Sequence, residues 1–280
     1  MSASSTSTLR VATFNAHWCV GTDGALDYAR AGRALAALDA DVVCAQELHQ
    51  ATSRFSDNQA QELARAAGYD VVLFGQTMQG HPHGDRSQPP QGCYGNAILL
   101  RQAARCVAPP LLLPTGAGYS RSQEPRGAMA ALVAAPDGAL WWVACTHLGC
   151  DLTGSEQAAA MPRIEAWVDA LHERTPAPVV LGGDLNACAA RQVMRDARRS
   201  AWRDAWLERA AEVQSSYTAG CTYPAWLPLC RIDYVLLHRA SCDGVRCAHA
   251  AVPSTAASDH CPVLCCLEGP AHAPASLDNV

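Results

Sequence analysis

A chain of 280 residues with 49% hydrophobic content can bury a substantial core as one large domain, and its 21 basic and 26 acidic residues leave a formal charge of −5. An average field of that sign repels polyanions, which counts against a protein built to grip long nucleic acids, although such binding depends on where Lys and Arg sit. The opening MSASSTST lacks the positive start and apolar stretch of a secretory signal, no segment reaches the ~18 consecutive apolar residues of a membrane span, and the 14 cysteines are scattered over strand-like runs such as VVCAQ and VLCCL. The expectation is a soluble, cytoplasmic monomer with reduced, buried thiols.

Residues 1–8 are expected to be a flexible N-terminus, 9–268 the ordered domain, and 269–280, rich in Pro and Ala, a flexible tail. In chain order, apolar periodicity predicts a strand at Arg10–Phe14, a helix at Ala25–Leu38, a strand at Asp41–Ala45, a helix at Gln59–Ala67 and a strand at Asp70–Phe74. Gly75–Gly92, rich in Gly, Pro, His and Gln, reads as a long loop. Strands follow at Gly95–Leu100, Ala128–Ala134 and Leu140–Thr146, with a second long loop at Pro114–Pro125. A helix at Glu156–His172, a strand at Pro178–Gly182, a helix at Arg191–Arg198 and strands at Ile232–Leu237 and Pro262–Leu267 complete a mixed α/β domain.

Polar residues gather where these apolar strands stop. Asn15 follows the first strand, Gln46-Glu47 the second and His147 the run through Thr146; Asp184 and Asn186 follow Val179–Leu181, and Ser258-Asp259-His260 precedes the last strand. Carboxylates and amides are costly to bury unpaired, so ends that share one sheet edge would form a concave site of hard oxygens and imidazoles. Such a set suits phosphate ester hydrolysis. Mg2+ takes few protein ligands, so Glu47 with Asp259 or Asn15 suffices; Asp184 can orient or deprotonate a water, while Asn186, His147 and His260 can meet charge on phosphoryl oxygens.

The ordered motifs Phe14-Asn15, Gln46-Glu47, Thr146–Leu148, Gly183–Asn186, Arg231–Tyr234 and Ser258–His260 resemble the endonuclease/exonuclease/phosphatase superfamily over nearly the whole chain. The resemblance implies a four-layer α/β sandwich, two packed mixed β-sheets flanked by helices, and a metal-dependent phosphoric ester hydrolase using Mg2+, with Mn2+ as a possible substitute. It further implies Glu47 as principal metal ligand, Asn15 and Asp259 in or beside the metal's shell, Asp184 positioning the attacking water and Asn186 holding a phosphoryl oxygen. His260 would contact the phosphate under the orientation of Asp233. His147 would be a second phosphate contact, oriented by Glu124.

The stretches GTDGALDYAR, CYGNAILLR and TYPAWLPLCRIDY resemble the branch that includes sphingomyelinase-like proteins, which implies a small-molecule or lipid phosphoester as substrate. His17-Trp18 after Asn15, and Thr153-Gly154 after the THL motif, depart from that pattern and bear on substrate identity. Blander roles compete at single positions: Asp184 and Asn186 as caps of a helix near Ala190, His147 as a core histidine, Arg126 as a salt-bridge partner and Asn96 as a turn residue in place of substrate contacts, and His81–Asp85 as a solvated loop in place of one that binds a metal or a phosphate. The alternative functions are a nuclease, with Trp18, Arg121, Arg126 and Trp226 supplying a small groove, and a non-catalytic binding protein reusing the fold.

Overall fold

The computed structural model describes residues 6–84, 87, 89–102, 104–114, 124–151, 153–209 and 220–270. Its strands are β1 (Thr6–Asn15), β2 (Val42–Gln50), β3 (Val71–Gln79), β4 (Cys93–Leu100), β5 (Cys106–Val107), β6 (Leu111–Leu113), β7 (Arg126–Ala134), β8 (Leu140–His147), β9 (Val179–Asp184), β10 (Trp202–Asp204), β11 (Asp233–His238), β12 (Arg246–Ala251) and β13 (Val263–Pro270). The helices are α1 (Tyr28–Ala36), α2 (Gln59–Ala67), α3 (Ser155–Arg174), α4 (Gln192–Arg199) and the short α5 (Ala205–Glu208).

Neighbouring residues in Val11-Ala12, Val43-Cys44, Val143-Ala144 and Val180-Leu181 are all buried, yet the two members of each pair belong to different clusters. Alternation along a strand requires this when both faces of a sheet are covered. One sheet runs β12-β13-β1-β2-β4-β3 and the other β10-β11-β9-β8-β7-β5, with β6 also on β7. Both are mixed, β1–β2 and β8–β9 being parallel and their other pairings antiparallel. Between them lie Leu9, Val42 and Ile98 from one sheet and Trp141, Val180 and Val235 from the other. Leu35 of α1 and Leu63 of α2 cover the first sheet's outer face; Ile164 and Val168 of α3, with Met194 of α4, cover the second's. The four-layer α/β sandwich is thus the fold. No helix among the described residues is long and apolar enough to cross a membrane.

Several boundaries shift for identifiable reasons. Strand β1 begins at Thr6, inside the expected flexible segment, because Thr6–Thr8 pair with Pro270–Glu268; the last strand likewise runs past Glu268. The remaining expected flexible residues, 1–5 and 271–280, lie outside the described set, as do 115–123 of the second predicted loop. Helix α1 starts at Tyr28 and not Ala25, since the Asp27 side chain accepts from the Arg30 amide at 2.8 Å and caps it. It packs on α2 so closely that a Cβ on Gly32 would fall 2.5 Å from the Ala66 backbone. Gly75–Gln79, assigned to a loop, continues β3 along β4.

The change that matters most for the site is in β2. The strand does not stop before Gln46-Glu47 but continues to Gln50 through a bulge, with both residues set against Asn96 between the Ala45↔Ala97 and Leu48↔Gly95 pairs. Glu47 takes φ 59 there, and a bulge of this kind turns the extra side chain out of the normal alternation.

Candidate active site

Pairing register alone aligns most of the site. Across the second sheet His147, Asp184 and Asp233 lie in one row, and across the first Asn15 sits beside Gln46. Gly183 lets β9 come close at this edge: a Cβ there would fall 2.2 Å from the Thr146 carbonyl oxygen. The two edges face each other, and Asn15 ties them together by donating from Nδ2 to Glu47 Oε1 and to Asp184 Oδ2, each at 3.0 Å. The Asn15 Oδ1 accepts from the His17 amide at 3.0 Å.

Asp184 is 1% exposed, and its other oxygen, Oδ1, accepts from the Asn186 amide at 2.8 Å. Asn186 has φ 49 and donates its side-chain amide to Leu148 O at 3.0 Å. Neither residue caps α4, whose N-cap is Arg191 without a side-chain bond. The polar tip of the apolar strand is spent on the site and not on the next helix.

His260 Nδ1 donates to Asp233 Oδ2 at 2.9 Å, which turns Nε2 toward Asp184 Oδ2 at 3.7 Å and Asp259 Oδ1 at 4.0 Å. The loop before β13 is fixed by Ser258 Oγ, which donates to Asn15 O at 2.7 Å and accepts from the His260 amide at 3.1 Å. Burial opposes the His260 imidazolium, but Asp233 and Asp184 outweigh it and hold its pKa up at about 10.

His147 departs from expectation. Glu124 does not touch it; Arg126 stands between them, its Nη1 donating to Glu124 Oε1 at 2.7 Å and to His147 Nδ1 at 2.8 Å. The cause is register, since Gly127 pairs with His147 and places the long Arg126 side chain across the ring. A guanidinium can only donate, so Nδ1 accepts and the His147 proton sits on Nε2. That N–H faces Asp184 Oδ2 at 3.5 Å; the Asn186 side-chain Nδ2, 3.0 Å from it, is itself a donor, and its bond goes to Leu148 O. Burial and the Arg126 charge push the imidazole well below its ordinary pKa. Arg126 is the salt-bridge partner that the sequence suggests, through Glu124; its second bond, to His147, leaves no signal in the sequence beyond the short spacing in Glu124-Pro125-Arg126. Asn96 is not the turn residue expected: it lies within β4, paired with Gly75, and donates to Gly127 O at 3.3 Å.

Asp184, Asp233 and His260 present ligand atoms within 4.8 Å of one another and form a cluster close enough to hold a metal ion. Asp233 and the His260 Nδ1 are already engaged with each other, however, and a hard cation prefers oxygen. Burial pushes the Glu47 carboxyl up to about 7, and burial followed by Asp233 pushes Asp184 up to about 6. Carboxyls displaced this way gain from a cation beside them, and Glu47 and Asp259 remain partly open, with side chains 18% and 24% exposed. The donor set therefore fits a divalent metal.

Beside His260 rises a loop closed on itself: Tyr223 and Thr222 donate backbone amides to Cys230 O, and Ala225 N donates to Asp259 O at 2.7 Å. The Tyr223 ring lies 4.8 Å from that of His260, and Trp226, Leu227 and Leu229 are exposed.

The family model described as Endonuclease/Exonuclease/phosphatase family matches residues 12–260. No curated protein matches the chain. Among solved structures, an endonuclease/exonuclease/phosphatase from Beutenbergia cavernae is 24% identical, with a TM-score of 0.74 over 94% of this chain and 72% of that one. A mannosyl-6-phosphatase from Bacteroides thetaiotaomicron is 17% identical, TM-score 0.70, over 92% and 99%. The human Nocturnin catalytic domain, solved with a bound sulfate anion, is 17% identical, TM-score 0.62, over 93% and 94%. At these identities the structural likeness is one of fold.

Proposed function

Because the chain belongs to the Endonuclease/Exonuclease/phosphatase family, we propose that it is a Mg2+-dependent phosphoester hydrolase in which a water held by Asp184 attacks a small-molecule or lipid phosphoester in line. The observation that carries this reading is the setting of Asp184: a buried strand-end carboxylate that Asn15 and the Asn186 amide orient, with His147 and His260 within 3.7 Å of Oδ2.

Glu47 would hold the metal, with Asp259 and Asn15 in or beside its shell. When bound, Mg2+, or Mn2+ in its place, supplies counter-charge to the phosphoryl oxygens. Asp184 orients the water and takes its proton as attack proceeds. Asn186, the His147 Nε2–H and the His260 Nε2–H are donors for oxygens that gain charge in the transition state. Asp233 keeps the His260 proton-bearing nitrogen aimed at the phosphate, as Arg126 does for His147.

The exposed Trp226, Leu227 and Leu229 beside His260 favour a substrate with an apolar part over a duplex. Of the residues considered for a nucleic-acid groove, Arg126 is buried and committed to Glu124 and His147, and Arg121 lies outside the described residues. The test is a panel of soluble phosphoesters, phospholipids, sphingomyelin and nucleic acids, each with Mg2+ and with EDTA. EDTA-sensitive hydrolysis of soluble or lipid esters is expected. Cleavage confined to nucleic acids would establish the nuclease alternative, and no cleavage of any class would favour a binding protein.

A further inference from the structure

The wall of the site on the Glu47 side carries a cluster that the hydrolytic reading does not use. His17, Trp18 and Cys19 are consecutive left-handed residues, with φ 43, 59 and 61, a conformation that non-glycine residues rarely adopt without a compensating role. The turn is held by Gln59 Nε2 donating to Trp18 O at 2.8 Å. It brings the Trp18 ring to 6.1 Å from His49 and 5.9 Å from His83, and the Arg54 guanidinium lies 4.0 Å over the indole. His81 lies 5.6 Å from His49, which sets this loop beside the site wall with His83 exposed to solvent.

The cluster is rich in donors and short of partners. Trp18 Nε1 and His49 Nε2 are buried without a hydrogen bond, the Tyr94 hydroxyl facing the indole from farther off; His49 is 0% exposed. His81 Nδ1 accepts from the His83 amide at 3.2 Å, which leaves its Nε2 to donate. Arg54 is exposed and has no ion pair among the described residues. His83 acts electrostatically on Glu124, and the Tyr94 ring, 5.1 Å from His49, is in turn influenced by Glu47. The cluster thus adjoins the hydrolytic centre.

We propose that Trp18, Arg54, His81 and His83 form an anion subsite that takes a second phosphate of the substrate, so that the preferred substrates carry two phosphates. A phosphate presents several acceptor oxygens, which suits the guanidinium, indole N–H and imidazole N–H groups gathered here, none of which is paired with a carboxylate among the described residues. The assignment rests on the hydrolytic reading above for the position of the first phosphate.

The test is binding, so it needs no turnover. Asp184→Asn protein with Mg2+ is titrated by calorimetry with alkanediol bisphosphates of increasing length and with the matching monophosphates. At the length that spans both positions, the bisphosphate binds about tenfold more tightly, roughly what one hydrogen bond to a charged group adds. Arg54→Gln and His83→Asn each reduce that advantage while leaving monophosphate affinity unchanged. No advantage at any length, or one that survives both substitutions, overturns the proposal. So does a shift of the Trp18 indole N–H resonance by inorganic phosphate with no bisphosphate advantage, which would make the cluster a separate effector site. A bisphosphate advantage in a protein that hydrolyses nothing would leave the subsite standing and sink the hydrolytic reading alone.

Discussion

Arg126 bonds both to Glu124 and to His147, and the structural role of the first contact and the positioning role proposed for the second separate experimentally. Its side chain is 7% exposed and that of Glu124 9%, so Arg126→Ala strands a buried carboxylate. Breaking a buried pair by removing one partner costs about 3–5 kcal/mol, whereas replacing both with apolar residues of similar volume is often neutral. Urea unfolding should therefore show a large loss for Arg126→Ala and a stability near wild type for Arg126→Met/Glu124→Leu. Turnover behaves differently, because both variants remove the 2.8 Å donor that fixes the His147 ring and its Nε2 proton. Misplacing a catalytic group by about 1 Å costs on the order of 100-fold, so the stable double variant should still be slow. The assay is kcat on whichever phosphoester the substrate panel identifies, run beside the unfolding curves. A double variant that recovers both stability and turnover would refute the positioning role and leave Arg126 a structural residue.

Three further outcomes are expected. Asp184→Asn keeps the shape of the side chain but removes its charge, so turnover should fall about 100-fold or more at nearly unchanged stability; intact turnover in a folded variant would remove the central residue of the mechanism. Asp233→Asn/His260→Ala should be little worse in turnover than His260→Ala, because the carboxylate acts through the ring, and fully multiplicative losses would break the pair. Glu47 and Asp184 are raised in the metal-free fold from ordinary values of 4.5 and 3.8 to about 7 and about 6, so the stability they contribute is full below the ordinary values and lost as pH rises through the raised ones. For Glu47 this is about 3 kcal/mol at 1.36 kcal/mol per pKa unit. Melting curves with and without Mg2+ should then show the metal stabilising far more at pH 8 than at pH 5, with the difference reduced in Glu47→Gln; equal stabilisation at both pH values would contradict Glu47 as the metal's ligand.

What the sequence made legible follows from where physics acts locally. Val179–Leu181 ending in Asp184 and Asn186 is readable because a buried apolar run that stops on unpaired polar groups needs an explanation within a few residues. Polar strand ends suggest that Asn15, His147 and His260 converge if those ends share a sheet edge, but the sharing itself, and the place of Asp233, come only through the resemblance, since register between distant strands leaves no mark on any one of them. β3 beyond Phe74 read as loop because it is the edge strand, half-exposed on both faces, where polar Gln76, Thr77 and Gln79 are tolerated. β5, β6 and β10 are too short to show a period, and the link from Glu124 through Arg126 to His147 exists only once β7 lies on β8.

The bulge in β2 has an evolutionary corollary. Cys44 and Gln46 face the opposing sheet, where Gln46 Nε2 reaches Cys145 Sγ, while Ala45 and Leu48 face the helices. With Glu47 left out, positions 44, 45, 46 and 48 alternate without a fault. The carboxylate is thus a supernumerary residue in an otherwise regular strand, and an in-frame loss of that one codon would restore regular pairing while erasing the proposed metal ligand. A single deletion would therefore keep the strand regular while removing the proposed metal ligand, and an alignment that slips by one residue here would place another residue at that position.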